Sequence, residues 1–99
     1  MQASNSDGSI EHLLPALIEE ARRGWQRYGN YNSTHEGLGV LTEEFAELVD
    51  AIRSNQPEEI GREAIQVAAV AIRLAQACQA IVTKDGAVEP TPFLLRSLP

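Results

Sequence analysis

Apolar residues recur at steps of three and four along most of the chain, the spacing that predicts amphipathic α-helices. The first such segment carries its apolar positions at Leu14, Leu17, Ile18, Ala21, Trp25 and Tyr28. Pro15 lies near its start. It either occupies the first turn of a helix that begins near Leu13 or kinks a helix that begins near Ser9. The Gly- and Asn-containing stretch 29–35 then predicts a loop.

Two further helices are predicted from their end signals. Ser33 and Glu36 have the spacing of a capping box, in which the serine caps backbone amides and the glutamate reaches back. A second helix is therefore expected over about 34–53. Pro57 suits a first helical position, and a third helix is expected from there to about Val82. Because no strand-like alternation extends beyond a few residues, the predicted fold class is all-α.

These boundaries predict a disordered N-terminal tail (1–9), a helical domain (10–82) and a turn-rich C-terminal arm (83–99). The third helix has a main apolar stripe made of Ile60, Ala64, Val67, Ala71 and Leu74. Further apolar residues cover most of its remaining surface, so one contact is expected within the subunit and another with a second subunit. The sequence therefore predicts a homo-oligomer.

Charge and composition narrow the function classes. With a net charge of −6 the chain lacks the basic face that nucleic-acid polymers require. No apolar run is long enough to cross a bilayer, and the first nine residues lack the features of a secretory signal. The single cysteine, Cys78, cannot form an internal disulfide. We therefore expect a cytoplasmic protein with no membrane or nucleic-acid partner, in which a cation mediates any contact with a phosphate compound.

The acidic residues of the second predicted helix are not equivalent on a helical wheel. The apolar stripe of this helix comprises Leu41, Phe45, Leu48 and Ile52. Glu44 and Glu47 border that stripe one turn apart, whereas Glu43 and Asp50 fall on the far side as solvated surface. On the third helix, Glu63 lies on the shoulder of the apolar stripe.

Antiparallel packing of these two helices would bring Glu44, Glu47 and Glu63 together. Carboxylates at that range repel one another and lose solvation, so something must offset their charge. A hard divalent cation, Mg²⁺ or Mn²⁺, does so because it prefers oxygen ligands. The alternative is an ordinary solvated face, in which Arg62, Arg73 or an arginine of a partner chain pairs with Glu63.

The segments NSTHEGLGVLTEEFAELVDAIRSN and EAIQVAAVAIRLA resemble the MazG-like nucleotide pyrophosphohydrolases of the all-α NTP pyrophosphatase superfamily. That family carries E-E-x-x-E on one helix and E-x-x-D on the next, and the resemblance covers roughly 25–76. The first motif is matched by Glu43, Glu44 and Glu47. Glu44 and Glu47 stand at the positions that serve as metal ligands in the family.

The second motif departs from the family pattern. Glu63 holds its first acidic position and Gln66 replaces the aspartate. A second register, which starts at Glu59, puts Arg62 at the aspartate position instead. In the first register Gln66 would be a weak metal ligand or would bond a ligand from outside the coordination sphere, since a neutral amide offers one weaker oxygen and no charge.

The resemblance implies a MazG-like helical bundle whose four-helix unit is completed by a second chain, in a dimer or tetramer. It also implies Mg²⁺-dependent hydrolysis of (d)NTP to (d)NMP and pyrophosphate, in nucleotide-pool house-cleaning. Glu44, Glu47 and Glu63 would be both the catalytic residues and the metal ligands. The alternative, which Gln66 favours, is a catalytically degenerate helical dimer that binds nucleotide or a protein partner.

Several other residues are candidates to bind the nucleotide. The aromatic rings of Trp25, Tyr28 and Tyr31 suit base stacking, although the first two fit the core face of the first helix equally well. Asn32 lies in the adjacent loop, where it could read a base edge or shape a turn. Arg73 could contact a phosphate, and ordinary solvated surface is the alternative.

Overall fold

The computed structural model describes the backbone of residues 10–84 and the side chains of residues 10–79, and this part of the chain is helical with no strand. A short 3₁₀ turn, Glu11–Leu13, leads into three helices: α1 (Leu14–Tyr28), α2 (Thr34–Ser54) and α3 (Pro57–Lys84). The all-α prediction is confirmed over these residues. The predicted tail 1–9 lies outside them, as does the predicted arm beyond Lys84. None of the three helices is long and apolar enough to cross a membrane.

The helix ends follow the local signals of the sequence. Pro15 lies in the first turn of α1, so the first of its two predicted settings is confirmed. Ser33 caps α2 by accepting a hydrogen bond from the amide of Glu36 at 3.1 Å. The Glu36 carboxylate reaches back as expected, but it accepts a hydrogen bond from the amide of Asn32, one residue before the cap, and not from the amide of Ser33 itself.

A two-residue link turns the chain between α2 and α3. Asn55 adopts the left-handed conformation that closes many helices, with φ 59° and ψ 43°. Its amide donates to the carbonyl groups of Ala51 and Ile52, and Pro57 then opens α3. Because so short a link joins the helices, they form an antiparallel hairpin.

α3 is the central helix and packs against both α1 and α2. Small residues bring the helices close together, since a Cβ at Gly37 would lie 2.7 Å from Leu74 Cδ1 and 3.2 Å from Tyr31 Cδ2. The most buried apolar residues of the described chain are Ala51, Ala69, Val70 and Ala77. The packing of α3 against α2 brings the acidic positions of these two helices next to each other.

The outer face of α2 carries large apolar side chains that the described chain does not cover. Leu38, Phe45 and Ile52 are each more than half exposed. The predicted apolar stripe of α2 is therefore not the face that α3 covers, because α3 packs on the adjacent side of α2, where Gly37 and Ala51 are buried.

The predicted stripe of α3 is only partly covered within the described chain. Ala64 and Ala71 are exposed, whereas Val70 and Arg73, on the adjacent edge, are buried. α3 is apolar around most of its circumference, so periodicity alone does not determine which side its neighbours cover.

Candidate functional site

Three glutamates meet across the α2–α3 hairpin. Glu44 and Glu47 lie one turn apart on α2, and Glu63 comes from the second turn of α3. One carboxylate oxygen of each lies within 4.8 Å of the other two. We call Glu44, Glu47 and Glu63 the carboxylate cluster.

The cluster combines partial burial with like charge. Glu44 and Glu63 are half-buried and Glu47 is exposed. Burial, followed by repulsion from Glu47 and Glu63, raises the pKa of Glu44. Burial also raises the pKa of Glu63, together with repulsion from Glu47 and a hydrogen bond to Glu47 that favours the protonated form. The ionised cluster is therefore an unfavourable arrangement unless a positive charge joins it.

No arginine of the described chain forms an ion pair with Glu63. Arg62 pairs with Glu59 at 3.3 Å, and Arg73 donates to the carbonyl oxygen of Gly29. The predicted alternative of a salt-bridged face therefore does not hold for the described arginines, although Arg62 exerts a smaller lowering effect on the pKa of Glu63.

The donor atoms of the cluster suit a small, hard cation. The Oε1 atoms of Glu44 and Glu63 are buried without a hydrogen-bond partner in the described chain. Oxygen ligands about 2.1 Å from Mg²⁺ are roughly 3 to 4.2 Å apart in octahedral geometry, so small side-chain movements would close the cluster around an ion. A cation would supply the charge that these oxygen atoms lack.

A cleft of about 600 Å³, which we call the large cleft, opens beside the cluster, between α1, the α1–α2 loop, α2 and α3. Its lining includes the predicted residues Tyr28, Asn32, Glu44, Gln66 and Arg73. A second cleft, of about 450 Å³, contains Glu47, Asp50, Glu59 and Glu63. The carboxylate cluster thus lies between two openings. Glu43 and Asp50 are exposed as predicted, but instead of lying on the far side of α2 each lines one of these clefts.

Arg73 is buried, so the predicted alternative that it belongs to the solvated surface is wrong. It is only 9% exposed and its Nη2 donates to the Gly29 carbonyl oxygen at 3.3 Å. The guanidinium carbon lies 4.5 Å from the ring centre of Tyr31 and 6.0 Å from that of Tyr28. Arg73 therefore joins α3 to the end of α1 and to the loop that carries Asn32.

The structure separates Trp25 from the other candidate substrate-binding residues. Trp25 lies in a different, largely apolar cleft with Ile18 and Ile72, outside the large cleft. Trp25 therefore projects from a different side of α1 than the residues that line the cleft beside the cluster, and its role in substrate binding stays a prediction. Both Trp25 and Tyr28 are exposed, so neither belongs to the core of the described chain.

Gln66 lies on the cleft side of the cluster. It is half-buried and lines the large cleft together with Glu44 and Val70. Its amide is therefore positioned toward the cleft beside the cluster.

Sequence reasoning missed the polar face of α1. This face contributes Glu20, Arg23, Gly24 and Arg27 to the large cleft, next to the predicted residue Tyr28. Their spacing of three and four, on the side of α1 opposite the apolar stripe, is the sequence signal for this face. Comparison with protein families, curated proteins and solved structures gives no match for this chain.

Proposed function

We propose that this chain is a Mg²⁺-dependent nucleoside triphosphate pyrophosphohydrolase that converts (d)NTP to (d)NMP and pyrophosphate. The observation that carries the proposal is the carboxylate cluster, whose oxygen atoms lie within 4.8 Å of one another beside a cleft of about 600 Å³. The resemblance of the helical motifs to the MazG-like enzymes gives the reaction class. The cleft has room for a nucleotide, since small-molecule sites are typically about 300–1,000 Å³.

In this proposal Glu44, Glu47 and Glu63 hold Mg²⁺, or Mn²⁺, in their ionised form. A bound divalent cation supplies charge neutralisation for the phosphates and lowers the pKa of water. A carboxylate of the cluster accepts the proton of the attacking water, and the pyrophosphate group leaves when the bond between the α and β phosphates breaks.

The large cleft orients the nucleotide. The exposed Tyr28 ring stacks against the base, and Asn32 bonds a base or sugar edge. Gln66 lies beside Glu44, where its amide can bond a phosphate oxygen or a ligand carboxylate.

The proposal includes a homodimer or a tetramer assembled from dimers. Its support is an exposed apolar row on α2, formed by Leu38, Phe45 and Ile52. These residues are spaced by seven, as in helices that pack side by side. Thr42 lies among them, and its hydroxyl already donates to the Leu38 carbonyl oxygen at 2.8 Å, so the row exposes little unmet polarity. A second copy of the chain would complete a four-helix unit across this face.

One observation favours a second candidate function. Gln66 occupies the position where the MazG-like enzymes have an aspartate, which removes one negative charge from the site. A chain with weakened metal binding would be a catalytically degenerate helical dimer that binds nucleotide or a protein partner.

Turnover by the purified full chain separates these candidates. The chain is incubated with a panel of NTPs and dNTPs, with Mg²⁺ or with a chelator, and released pyrophosphate is measured. The enzyme hypothesis predicts Mg²⁺-dependent release from at least one nucleotide, lost in Glu47→Gln and retained in Glu58→Gln. Glu58 is an exposed glutamate of α3 outside the cluster, so it controls for the substitution itself. Nucleotide binding without release by the wild-type chain supports the second candidate.

A further inference from the structure

Arg73 is a buried cation without a counter-charge. Among the residues whose side chains the structure describes, it alone is both charged and buried, with 9% of its surface exposed. The described ion pairs belong to Arg23 and Arg62. The contacts of Arg73 are the Gly29 carbonyl oxygen and the rings of two tyrosines, and its Nε has no hydrogen-bond partner in this part of the chain.

Such a side chain is unfavourable in a finished fold. A buried charge is normally paired or hydrogen-bonded at every donor, because removing it from water is expensive. One carbonyl oxygen and a tyrosine ring offset only part of that loss. The unpartnered Nε and the unpaired charge of Arg73 therefore suit an anionic ligand.

The chain is shaped to hold Arg73 where it is. A Cβ at Gly24 would lie 2.8 Å from Arg73 Nη1 and 3.0 Å from its Cδ. Glycine inside a helix is unfavourable relative to alanine, and Gly24 lies well inside α1. Its presence is explained by the space that the guanidinium needs.

A second donor without a partner lies beside Arg73. The Tyr31 hydroxyl is buried with no hydrogen-bond partner among the described residues, and Tyr31 lines the same cleft. Burial has the largest effect on the pKa of this hydroxyl and raises it, while Arg73 lowers it and Glu36 and Glu44 raise it. Tyr31 therefore lies within electrostatic range of both the arginine and the carboxylate cluster.

We infer that Arg73 and Tyr31 form an oxyanion site that binds a phosphate group of the nucleotide independently of the divalent cation. A guanidinium has donors and no acceptor, so the complementary ligand must offer acceptor oxygens, as a phosphate does. The identity of the ligand as a nucleotide rests on the proposed function, whereas the anion site itself rests on Arg73, Tyr31 and Gly24. The carboxylate cluster then holds one part of a polyphosphate through its cation and Arg73 holds another.

The test is a set of thermal melts of the full chain with inorganic pyrophosphate, in buffer stripped of divalent cations. Sodium chloride at matched ionic strength corrects for general salt effects. At ten times its dissociation constant, pyrophosphate should raise the wild-type melting temperature by roughly 6–11 °C. Arg73→Met should abolish this shift, and Arg22→Met should retain it. Arg22 is an exposed arginine that faces the other cleft of α1, so it controls for the lost charge.

A second pair of variants keeps the inference testable if Arg73→Met does not melt cooperatively. Gly24→Ala displaces the guanidinium without removing its charge, and should also reduce the pyrophosphate shift. Glu44→Gln removes a neighbouring negative charge, and should increase the shift in the absence of cations. An equal shift in wild type, Arg73→Met and Gly24→Ala would overturn the inference, as would the absence of any wild-type shift beyond the salt control.

The inference and the proposed function can fail separately. A pyrophosphate shift that depends on Arg73, in a chain that does not bind Mg²⁺ or turn over nucleotide, supports the anion site and contradicts the enzyme. Mg²⁺-dependent turnover by a chain in which Arg73→Met leaves the pyrophosphate shift unchanged supports the enzyme and contradicts the anion site.

Discussion

Replacing Glu63 with glutamine should stabilise the fold when no divalent cation is present. The substitution keeps the size of the side chain and removes one of three negative charges within 4.8 Å. Glu63 Oε1 has no hydrogen-bond partner in the described residues, so no such bond is lost at that atom. The same substitution removes a cation ligand, so Mg²⁺ should stabilise the variant less than the wild type.

The size of the effect follows from Coulomb's law. At 4.8 Å two unit charges repel by roughly 0.9 kcal/mol in water and about 3.5 kcal/mol at an effective dielectric constant near 20. Because Glu47 is exposed and Glu44 half-buried, solvent screening favours the low end for each pair. Relief of two pairs is then worth about 1–2 kcal/mol. Each kcal/mol raises the melting temperature of a domain of this size by about 4–8 °C.

The stability gained by Glu63→Gln should disappear as the pH is lowered. Glu44 and Glu63 have a pKa above the ordinary value of 4.5, so the folded chain keeps these protons to a higher pH than the unfolded chain does. Their contribution therefore lowers stability as the pH rises from about 4.5 through the folded-state pKa. Below about pH 4 Glu63 is protonated and uncharged like glutamine, so the two melting curves should converge.

The assay compares melts of wild type and Glu63→Gln near pH 4 and near pH 7.5, with a chelator and with saturating Mg²⁺. Glu58→Gln is the matched control, because Glu58 lies in the first turn of the same helix and outside the cluster. Glu58→Gln loses a favourable interaction with the N-terminus of α3, so its melting temperature should be equal to or lower than that of the wild type. If Glu63→Gln is no more stable than wild type near pH 7.5 and responds equally to Mg²⁺, the described electrostatics of the cluster are wrong.

Three further results are expected. Gln66→Asp adds a fourth charge, so it should lower the melting temperature without cations and increase the shift caused by saturating Mg²⁺; equal shifts in both chains would separate Gln66 from the metal site. Phe45→Glu should weaken self-association in analytical ultracentrifugation, whereas Leu14→Glu on α1 should not. An unchanged sedimentation profile of Phe45→Glu would exclude the exposed row of Leu38, Phe45 and Ile52 as the interface. Ser33→Ala removes the cap of α2 and should destabilise the chain by about 1 kcal/mol in denaturant melts, and no loss would contradict the cap.

The parts of the fold that could be predicted are those with local chemical signals. The Ser33 cap, Pro15 in the first turn and Pro57 at the start of α3 each act within a few residues, and each lies where the sequence predicts. The meeting of Glu44 and Glu63 needed one further assumption, antiparallel packing, which the short link between the helices makes almost unavoidable.

The parts that could not be predicted depend on which side of a helix its neighbours cover. α3 is apolar on most sides, so its pattern did not indicate that Val70 and Arg73 would be buried while Ala71 stays exposed. Arg73 carries no local signal for burial, because it packs against Gly24, which lies 49 residues away on another helix. For the same reason the periodicity of Trp25 fitted both a core and a site position, whereas the side chain is exposed and lines a separate cleft.

The most direct test of the proposed function is the identity of the reaction products by ³¹P NMR. The full chain is incubated with Mg²⁺ and each nucleoside triphosphate in turn, and the phosphorus resonances are followed over time. The proposal predicts equal growth of nucleoside monophosphate and pyrophosphate signals, and their absence with Glu47→Gln. Formation of nucleoside diphosphate and inorganic phosphate, or no turnover of any nucleotide, would contradict it.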